Sequence, residues 1–477
     1  MTSLQEPKSY INLQLGWPSP SLFPKKQLAD AAQTILLNDD VAAKALVYGP
    51  DQGQDSLREA LAKWLSGFYQ PSAGSISPQR LFITNGASAT LSMLLTRFTD
   101  PEFTRGIWMI EPTYFLACPS FQEAGFEGRM RGVPEDDEGI DLGYLRKGLL
   151  EMETREPPDP AFVSTVASPK VYRHVIYVVP TFSNPSAKVM SLRRRKQLVE
   201  LARQFDALII ADDVYDWLRW PADHGASGSS ELPPPPPRLV DVDRALPDGS
   251  PWGNTASNGS FSKIVAPGVR VGWVEGSPEM AKEMCNLGSV RSGGCQGHLS
   301  SMFMGHLLSS GALDGHIRGK LIPTYQERYH AMIKAISEYL SPLGITVAPR
   351  QSEFDNDEPG IVGGFFVYLN LPRGSISGKQ FAEFALERHN VRVAHGEMMT
   401  VAGDPGSLER AKTSFGVGFR LCWAWHDVIE IQDGIMRLAA AFKEMQGNPQ
   451  NKVAWSRTKG SLPQTNIRHL SPASDNC

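Results

Sequence analysis

The 477-residue chain sets 47 Lys+Arg against 51 Asp+Glu for a formal net charge of −4, with 41% hydrophobic and 21% charged residues. That length admits two domains with sizeable cores, because single cores stop growing at roughly 250–300 residues, and the weakly acidic balance offers no basic field for nucleic acid or an anionic membrane. Five scattered cysteines, Cys118, Cys285, Cys295, Cys422 and Cys477, have no C-x-x-C spacing, which argues against a disulfide framework or zinc site and for a reducing compartment.

The opening MTSLQEPKSYINLQLGWPSP lacks a basic segment followed by an apolar run, and no apolar stretch reaches the ~18 residues of a membrane span. A cytoplasmic protein with small-molecule partners is expected. From Ser56 to Phe68, Leu57, Leu61, Trp64, Leu65 and Phe68 recur at helical spacing. The chain then alternates: strand Leu81–Thr84, a helix opened by NGAS, strand Gly106–Ile110, strand Val175–Val179, helix Leu192–Phe205 and strand ALIIA. Alternation of this kind predicts βαβ units and a mostly parallel sheet covered by helices on both faces. Residues 222–258 form a composition break with five successive prolines, Pro233 to Pro237, expected to be a stiff surface insertion. From Ile322 the periodicity changes to a long helix, the strand GGFFVYLNL, a helix near Phe381–Arg388 and FGVGFRLCWAW, which predicts a smaller α+β domain. Residues 447–477 are polar with little periodicity and are expected to be a mobile tail.

Ligands of open α/β sheets gather at the carboxyl ends of the strands, so the residues following each strand are the candidates for chemistry. After Thr84 come Gly86, Ala87 and Ser88 at a helix start, where free amides and the helix dipole suit a phosphate, although Ser88 alone reads as a cap. After Ile110 comes Tyr114, an aromatic face able to stack on a flat ring. After Val179 comes Asn184, alone a turn residue, and after Ala211 come Asp212 and Tyr215, a carboxylate and a phenol able to hold a ring nitrogen and a ring oxygen. The stretch SFSKIVAPGVR adds Ser260, Ser262 and Arg270, a dianion clamp around Lys263. A lysine among interior-type residues must reach solvent by its long stem, find a partner or give up its charge, and beside such a clamp Lys263 is a candidate Schiff-base former.

Together these residues resemble the class I/II aminotransferases of the pyridoxal-phosphate enzymes, fold type I, over about Ile11 to Phe442. SFSKIVAPGVRVGW is similar to that family's S-x-S-K-x-x-x-P-G-x-R-x-G, which implies Lys263 as the cofactor-bound lysine and Ser260, Ser262 and Arg270 as phosphate ligands. NPSA is similar to N-P-x-G, implying Asn184 and Tyr215 on the ring hydroxyl and Asp212 on the ring nitrogen. Ala187 replaces the motif's glycine. YGPDQGQDSLREALAKWL resembles the family's Y-G-x-x-x-G-x-x-x-L-R and implies that Tyr48 reaches the phosphate of a neighbouring subunit in a homodimer with shared sites. FRLCWAW resembles the segment whose arginine binds the substrate carboxylate, here Arg420, with Trp423 and Trp425 placed in the core or beside the substrate. Gly16 resembles the glycine that closes over the substrate.

The resemblance implies a large cofactor-binding domain over 56–321, a small C-terminal domain over 322–446 and an N-terminal arm over 1–55 packing on the small domain and the dimer partner. It also implies pyridoxal 5'-phosphate, no metal, and ping-pong exchange between an L-amino acid and a 2-oxo acid. The DD-x-Y form and the RSGGCQGHLSS stretch resemble the branch acting on 2-aminoadipate and aromatic amino acids. The same residues also serve a lyase or carbon-bond-forming enzyme. A regulator built on such a domain would carry a DNA-binding segment ahead of it, and only about ten residues precede the first motif.

Overall fold

The computed structural model describes residues 9–155, 168–222, 232–349, 360–374 and 376–447. Eight strands, β1 (Leu81–Thr84), β2 (Gly106–Glu111), β3 (Met130–Asp136), β4 (Gly139–Ile140), β5 (His174–Val178), β6 (Ala207–Asp212), β7 (Thr255–Ser260) and β8 (Gly272–Glu275), make one sheet in the order β1-β8-β7-β6-β5-β2-β3-β4. Strands β7, β6, β5, β2 and β3 pair in parallel, whereas β8 runs antiparallel to both β7 and β1.

The apolar runs of the sheet divide between two cores, as period-two side chains must. Ile107, Met109, Val175, Tyr177, Leu208 and Ile210 enter one core. Trp108, Ile110, Ile176, Val178, Ile209 and Ala211 enter the other, against Leu198 and Ala202 of helix Leu192–Gln204. Burial on both faces is what allows a parallel sheet to satisfy so many β-branched and aromatic residues.

The smaller sheet is antiparallel, with Thr346–Val347, Phe366–Asn370, Gly418–Cys422 and Ala394–His395 in that order. Helix Gly378–His389 packs against it, and helix Val428–Gly447 packs on that helix and on strand Val391–Arg392. The long helix expected from Ile322 is α-helical to Ala335 and continues as a wider turn, Ile336–Leu340. The N-terminal segment joins this unit. Ile11–Asn12 pairs in parallel with Val391–Arg392, and the Cys422 amide donates to the Leu13 carbonyl at 2.8 Å. That pairing carries Gly16 to the junction of the two sheets.

The stretch 222–258 is not one surface insertion. Residues 223–231 lie outside the described residues, but 239–245 form a helix and β7 begins at Thr255. The composition signal missed this because it is dominated by prolines, while the anchor is a charge. Arg238, fully buried, donates to Asp241 Oδ1 at 3.0 Å and Glu275 Oε2 at 2.8 Å and sits 4.0 Å from the centroid of the Tyr69 ring. Of the expected tail, 448–477 lie outside the described residues. Among the described residues, no helix is long and apolar enough to cross a membrane.

Gly259 shows why a central strand can tolerate a residue of poor strand propensity. It pairs with Trp273 on β8, and a Cβ at 259 would overlap the buried indole. Gly259→Ala is therefore expected to lower stability by about 1–3 kcal/mol in thermal or urea unfolding, as overpacking does. Gly67→Ala, in helix Asp55–Tyr69 with open space around it, is expected to leave stability unchanged or raise it by ~0.5–1 kcal/mol.

Candidate active site

The carboxyl ends of β1, β2, β5, β6 and β7 open into a cavity of about 540 Å³. Of the residues singled out in the sequence, Gly16, Ala87, Ser88, Tyr114, Asn184, Asp212, Tyr215, Ser260, Ser262, Lys263, Arg270 and Arg420 all line it. Gly86 lies immediately behind, as N-cap of helix Ala87–Phe98. Tyr48 does not line the cavity and is 83% exposed.

One end of the cavity is built for a dianion. Helix Ala87–Phe98 starts without a side-chain cap, so its first amides are free to bond a ligand at the positive end of the helix dipole. Gly86 has φ +96°, and a Cβ there would lie 2.7 Å from an Arg270 Nη nitrogen, so only glycine lets the guanidinium close over the turn. Arg270 itself donates to the Asn85 carbonyl at 2.9 Å and the Pro267 carbonyl at 3.1 Å, which orients it. The Ser262 amide donates to Ser260 Oγ at 3.1 Å, and the Ser260 hydroxyl donates to Ser262 Oγ at 3.0 Å.

Asp212 ends β6, held by two residues the sequence reading did not single out. Tyr177 donates its hydroxyl to Oδ2, and Asn258 donates its amide to Oδ1. Both follow from register: β6 pairs Asp212 with Asn258 on one side and Ile210 with Tyr177 on the other. Burial lifts the Asp212 carboxyl to about 6 against the pull of Tyr177, Asn258 and Lys263. Tyr114 shares this environment, its phenol pushed up to about 12 by burial and then by Asp212. Tyr215 is buried with its ring edge-on to Phe365 and Phe366 at 5.5 and 5.8 Å.

Lys263 Nζ donates to the Gly16 carbonyl at 2.7 Å, which ties the N-terminal segment to the large sheet. Desolvation brings its amine down to about 8, with Cys422 pulling upward and Arg420 adding to the drop. Across the cavity, Arg420 reaches the Asn184 carboxamide oxygen and the Gln14 carbonyl, the latter at 2.6 Å, and lies 4.1 Å from the centroid of the Phe366 ring. Its Nε is buried without a hydrogen-bond partner. Burial lowers its guanidinium.

The Asn184 loop carries the residue that departs from the family motif. Ala187 has φ +63°, so the alanine occupies the left-handed region that glycine would take freely, at a cost of about 1–2 kcal/mol. The tryptophans separate: Trp423 is in the core, edge-on to Tyr329 at 5.3 Å. Trp425 packs edge-on against Trp17, which lines the cavity, at 6.3 Å.

These residues fit a phosphorylated heteroaromatic aldehyde. The uncapped helix start with Ser260, Ser262 and Arg270 suits a phosphate. The buried Asp212 suits a protonated ring nitrogen, and an amine near 8 suits carbonyl condensation.

The sequence profile of the family described as "Aminotransferase class I and II" matches residues 20–410. A Saccharomyces cerevisiae protein of uncharacterized function is 33% identical, over 91% of this chain and 97% of its own. The aromatic-amino-acid aminotransferase 1 of Thermococcus litoralis is 31% identical, over 93% of this chain and 90% of that protein. Among solved structures, the alpha-aminoadipate aminotransferase of Thermus thermophilus complexed with N-(5'-phosphopyridoxyl)-L-leucine aligns at TM-score 0.69 and 25% identity, over 92% of this chain and 93% of that one.

The raised Asp212 carboxyl has a measurable consequence. With the cavity free of ligand, the folded protein holds this proton up to pH about 6, above the ordinary aspartate range, so ionisation costs stability at neutral pH. Ligand-free Asp212→Asn is expected to melt at a higher temperature than wild type at pH 7.5. The gap should close as pH falls from 6 toward 4, and a constant gap would contradict the burial of this charge.

Proposed function

The chain belongs to the class I and II aminotransferases, and we propose that it moves the amino group of an L-amino acid with an aromatic or 2-aminoadipate-like side chain to a 2-oxo acid in two ping-pong half-reactions. It is a pyridoxal 5'-phosphate enzyme of fold type I. The observation that carries the reading is the meeting of the Lys263 amine, the Asp212 carboxylate and Arg420 in one cavity beside a dianion cradle.

When bound, the cofactor supplies a carbonyl carbon that takes the amino group and a protonated ring that disperses the electrons released at the substrate Cα. The phosphate would be held by the amides of Ala87 and Ser88 with Ser260, Ser262 and Arg270. Asp212 would keep the ring nitrogen protonated through a fixed charge, and Asn184 and Tyr215 would hold the ring hydroxyl. Arg420 binds the substrate α-carboxylate, its unpartnered Nε giving it capacity for that anion. Lys263, near 8, is in part neutral at cellular pH and takes the Cα proton as general base, then returns it as the ammonium. Trp17, Leu91, Phe115 and Leu116 on the cavity wall support an apolar or aromatic side chain on the donor.

A homodimer with shared sites is part of this reading. Tyr48 is exposed beside exposed Leu46, Val47 and Leu37, an apolar strip that supports burial against a second copy, where Tyr48 would reach the partner's phosphate. The four described cysteines, Cys118, Cys285, Cys295 and Cys422, are free thiols, which supports a cytoplasmic location.

Mixing the loaded enzyme with an aromatic amino acid alone is expected to release one equivalent of 2-oxo acid per site and stop until an oxo acid is added. Continuous product without an acceptor would instead indicate lyase chemistry. Lys263→Ala is expected to lose the visible cofactor band and at least ~10³-fold in rate, and retained turnover would overturn its role. Arg420→Lys should raise KM for the amino acid by about 10–100-fold, the value of a charge-assisted hydrogen bond, with a smaller effect on kcat.

A further inference from the structure

A second cavity, of about 240 Å³, lies away from the first and is lined by Arg80, Arg203, Arg244, Ser250, Thr255 and Ser277, among others. Thr255 opens β7 and Ser260 closes it at the dianion cradle, so the two sites are about 16 Å apart along the strand. Residues of the proline-rich stretch, from Asp243 to Thr255, build one wall over Arg80 and Arg203 of the large domain.

The charges on this wall are not balanced. Arg203 is committed, donating to Asp243 Oδ1 at 2.8 Å and to the Pro247 carbonyl at 2.6 Å. Asp243 is saturated inward by the Asn254 amide at 2.7 Å and the Thr255 hydroxyl at 3.0 Å. Arg80 is different. Its side chain is 13% exposed, and its Nε has no hydrogen-bond partner. Its Nε stands 3.5 Å from Glu275 Oε1 in an ion pair, while the other oxygen of that carboxylate, Oε2, accepts from Arg238 at 2.8 Å. Burial lowers the Arg80 guanidinium below its ordinary value, with Glu275 pulling it back up and Arg244 adding to the drop. Arg244 bonds only carbonyls, those of Ala73 and Ser75 at 2.9 and 3.0 Å, and its Nη1 is buried without a partner.

Three guanidiniums thus line one cavity whose wall holds a single carboxylate, Asp243, and that one is spent on Arg203 and on the Asn254 and Thr255 donors, so the cavity offers surplus positive charge to an anion. Ser250 and Ser277 accept amides from Trp252 and Met280, leaving each hydroxyl proton free to donate into the cavity. We propose that this cavity binds a phosphate-type dianion between Arg80 and Arg244. The anion is either free phosphate or the phosphate group of a small organic molecule, and the guanidinium pair gives it the charge-assisted donors it requires.

The test uses the enzyme with its cofactor bound, so that the cradle at the first site is filled and its visible band reports any displacement. Inorganic phosphate is titrated at ionic strength held constant with sodium chloride, and the melting temperature is followed. A saturable rise beyond the chloride control, at unchanged cofactor absorbance, is expected. Arg80→Gln and the half-exposed Arg244→Gln should each weaken the apparent phosphate affinity at least tenfold while transamination persists. Glycerol phosphate run in parallel assigns the source: binding at least tenfold tighter than inorganic phosphate indicates an organic phosphate, and equal binding indicates the free ion. No rise above chloride, or an equal rise in Arg244→Gln, overturns the proposal.

Discussion

Withdrawing a carboxylate and an amine from water into the same cavity is the constraint on which the rest of this structure depends. Burial is the largest cause that drives Asp212 up to about 6 and Lys263 down to about 8, each toward the form in which it carries no charge. Neither group could be kept there by a loose loop. Asp212 is fixed at the end of β6 by two donors from adjacent strands, and Lys263 by a 2.7 Å bond to a carbonyl of the N-terminal segment. The parallel sheet supplies the precision, since its register sets which side chains stand beside Asp212. Two groups shifted toward neutrality thus stand in one cavity before any substrate arrives.

The second sheet must be held against the first, because Arg420 stands on one and Asp212 on the other. The tie is ionic and largely buried. Arg410, on helix Pro405–Thr413, grips the Glu111 carboxylate through Nε at 2.7 Å and Nη at 3.1 Å and also donates to the Gly132 carbonyl at 3.0 Å. A side chain at 132 would displace the Glu111 carboxylate, so glycine there is a requirement of the ion pair. Glu111 ends β2, three residues before Tyr114, and the Thr113 amide donates to the Met399 carbonyl at 2.9 Å. The segment that carries a cavity wall on the large sheet is thus bonded directly to the small one.

Much of this was legible from residue order because strand tips and motif spacing are local. Leu81–Thr84 appears with the bounds read from the sequence, and twelve of the fourteen candidate residues line one cavity. What escaped was set by lateral pairing. Tyr177 sits inside a strand that reads as core and Asn258 at the end of the stretch that reads as a surface insertion, and only the order and register of β5, β6 and β7 reveal that they face Asp212. Arg238 escaped for another reason: five prolines before it signal surface, while its burial depends on Asp241 and Glu275, the latter far along the chain. Ala187 was legible as a departure from the motif, but its sign depended on a backbone angle that residue type does not determine.

The segment Asp212-Asp213-Val214-Tyr215-Asp216 shows how one composition yields different roles when burial is nearly the same. Desolvation raises all three aspartates, so none is a carboxylate at its ordinary value. Strand alternation turns Asp213 away from the cavity, where it accepts from Ser257 and feels Arg238, and Asp216 accepts the Tyr69 hydroxyl at 2.9 Å. Those two belong to a buried polar layer around Arg238, whose guanidinium lies over the Tyr69 ring. Only Asp212 borders open space, so only it can meet a charged donor that arrives from solution. A buried acid held by two neutral donors, Tyr177 and Asn258, has no cation within hydrogen-bond reach among the described residues, and it borders the cavity.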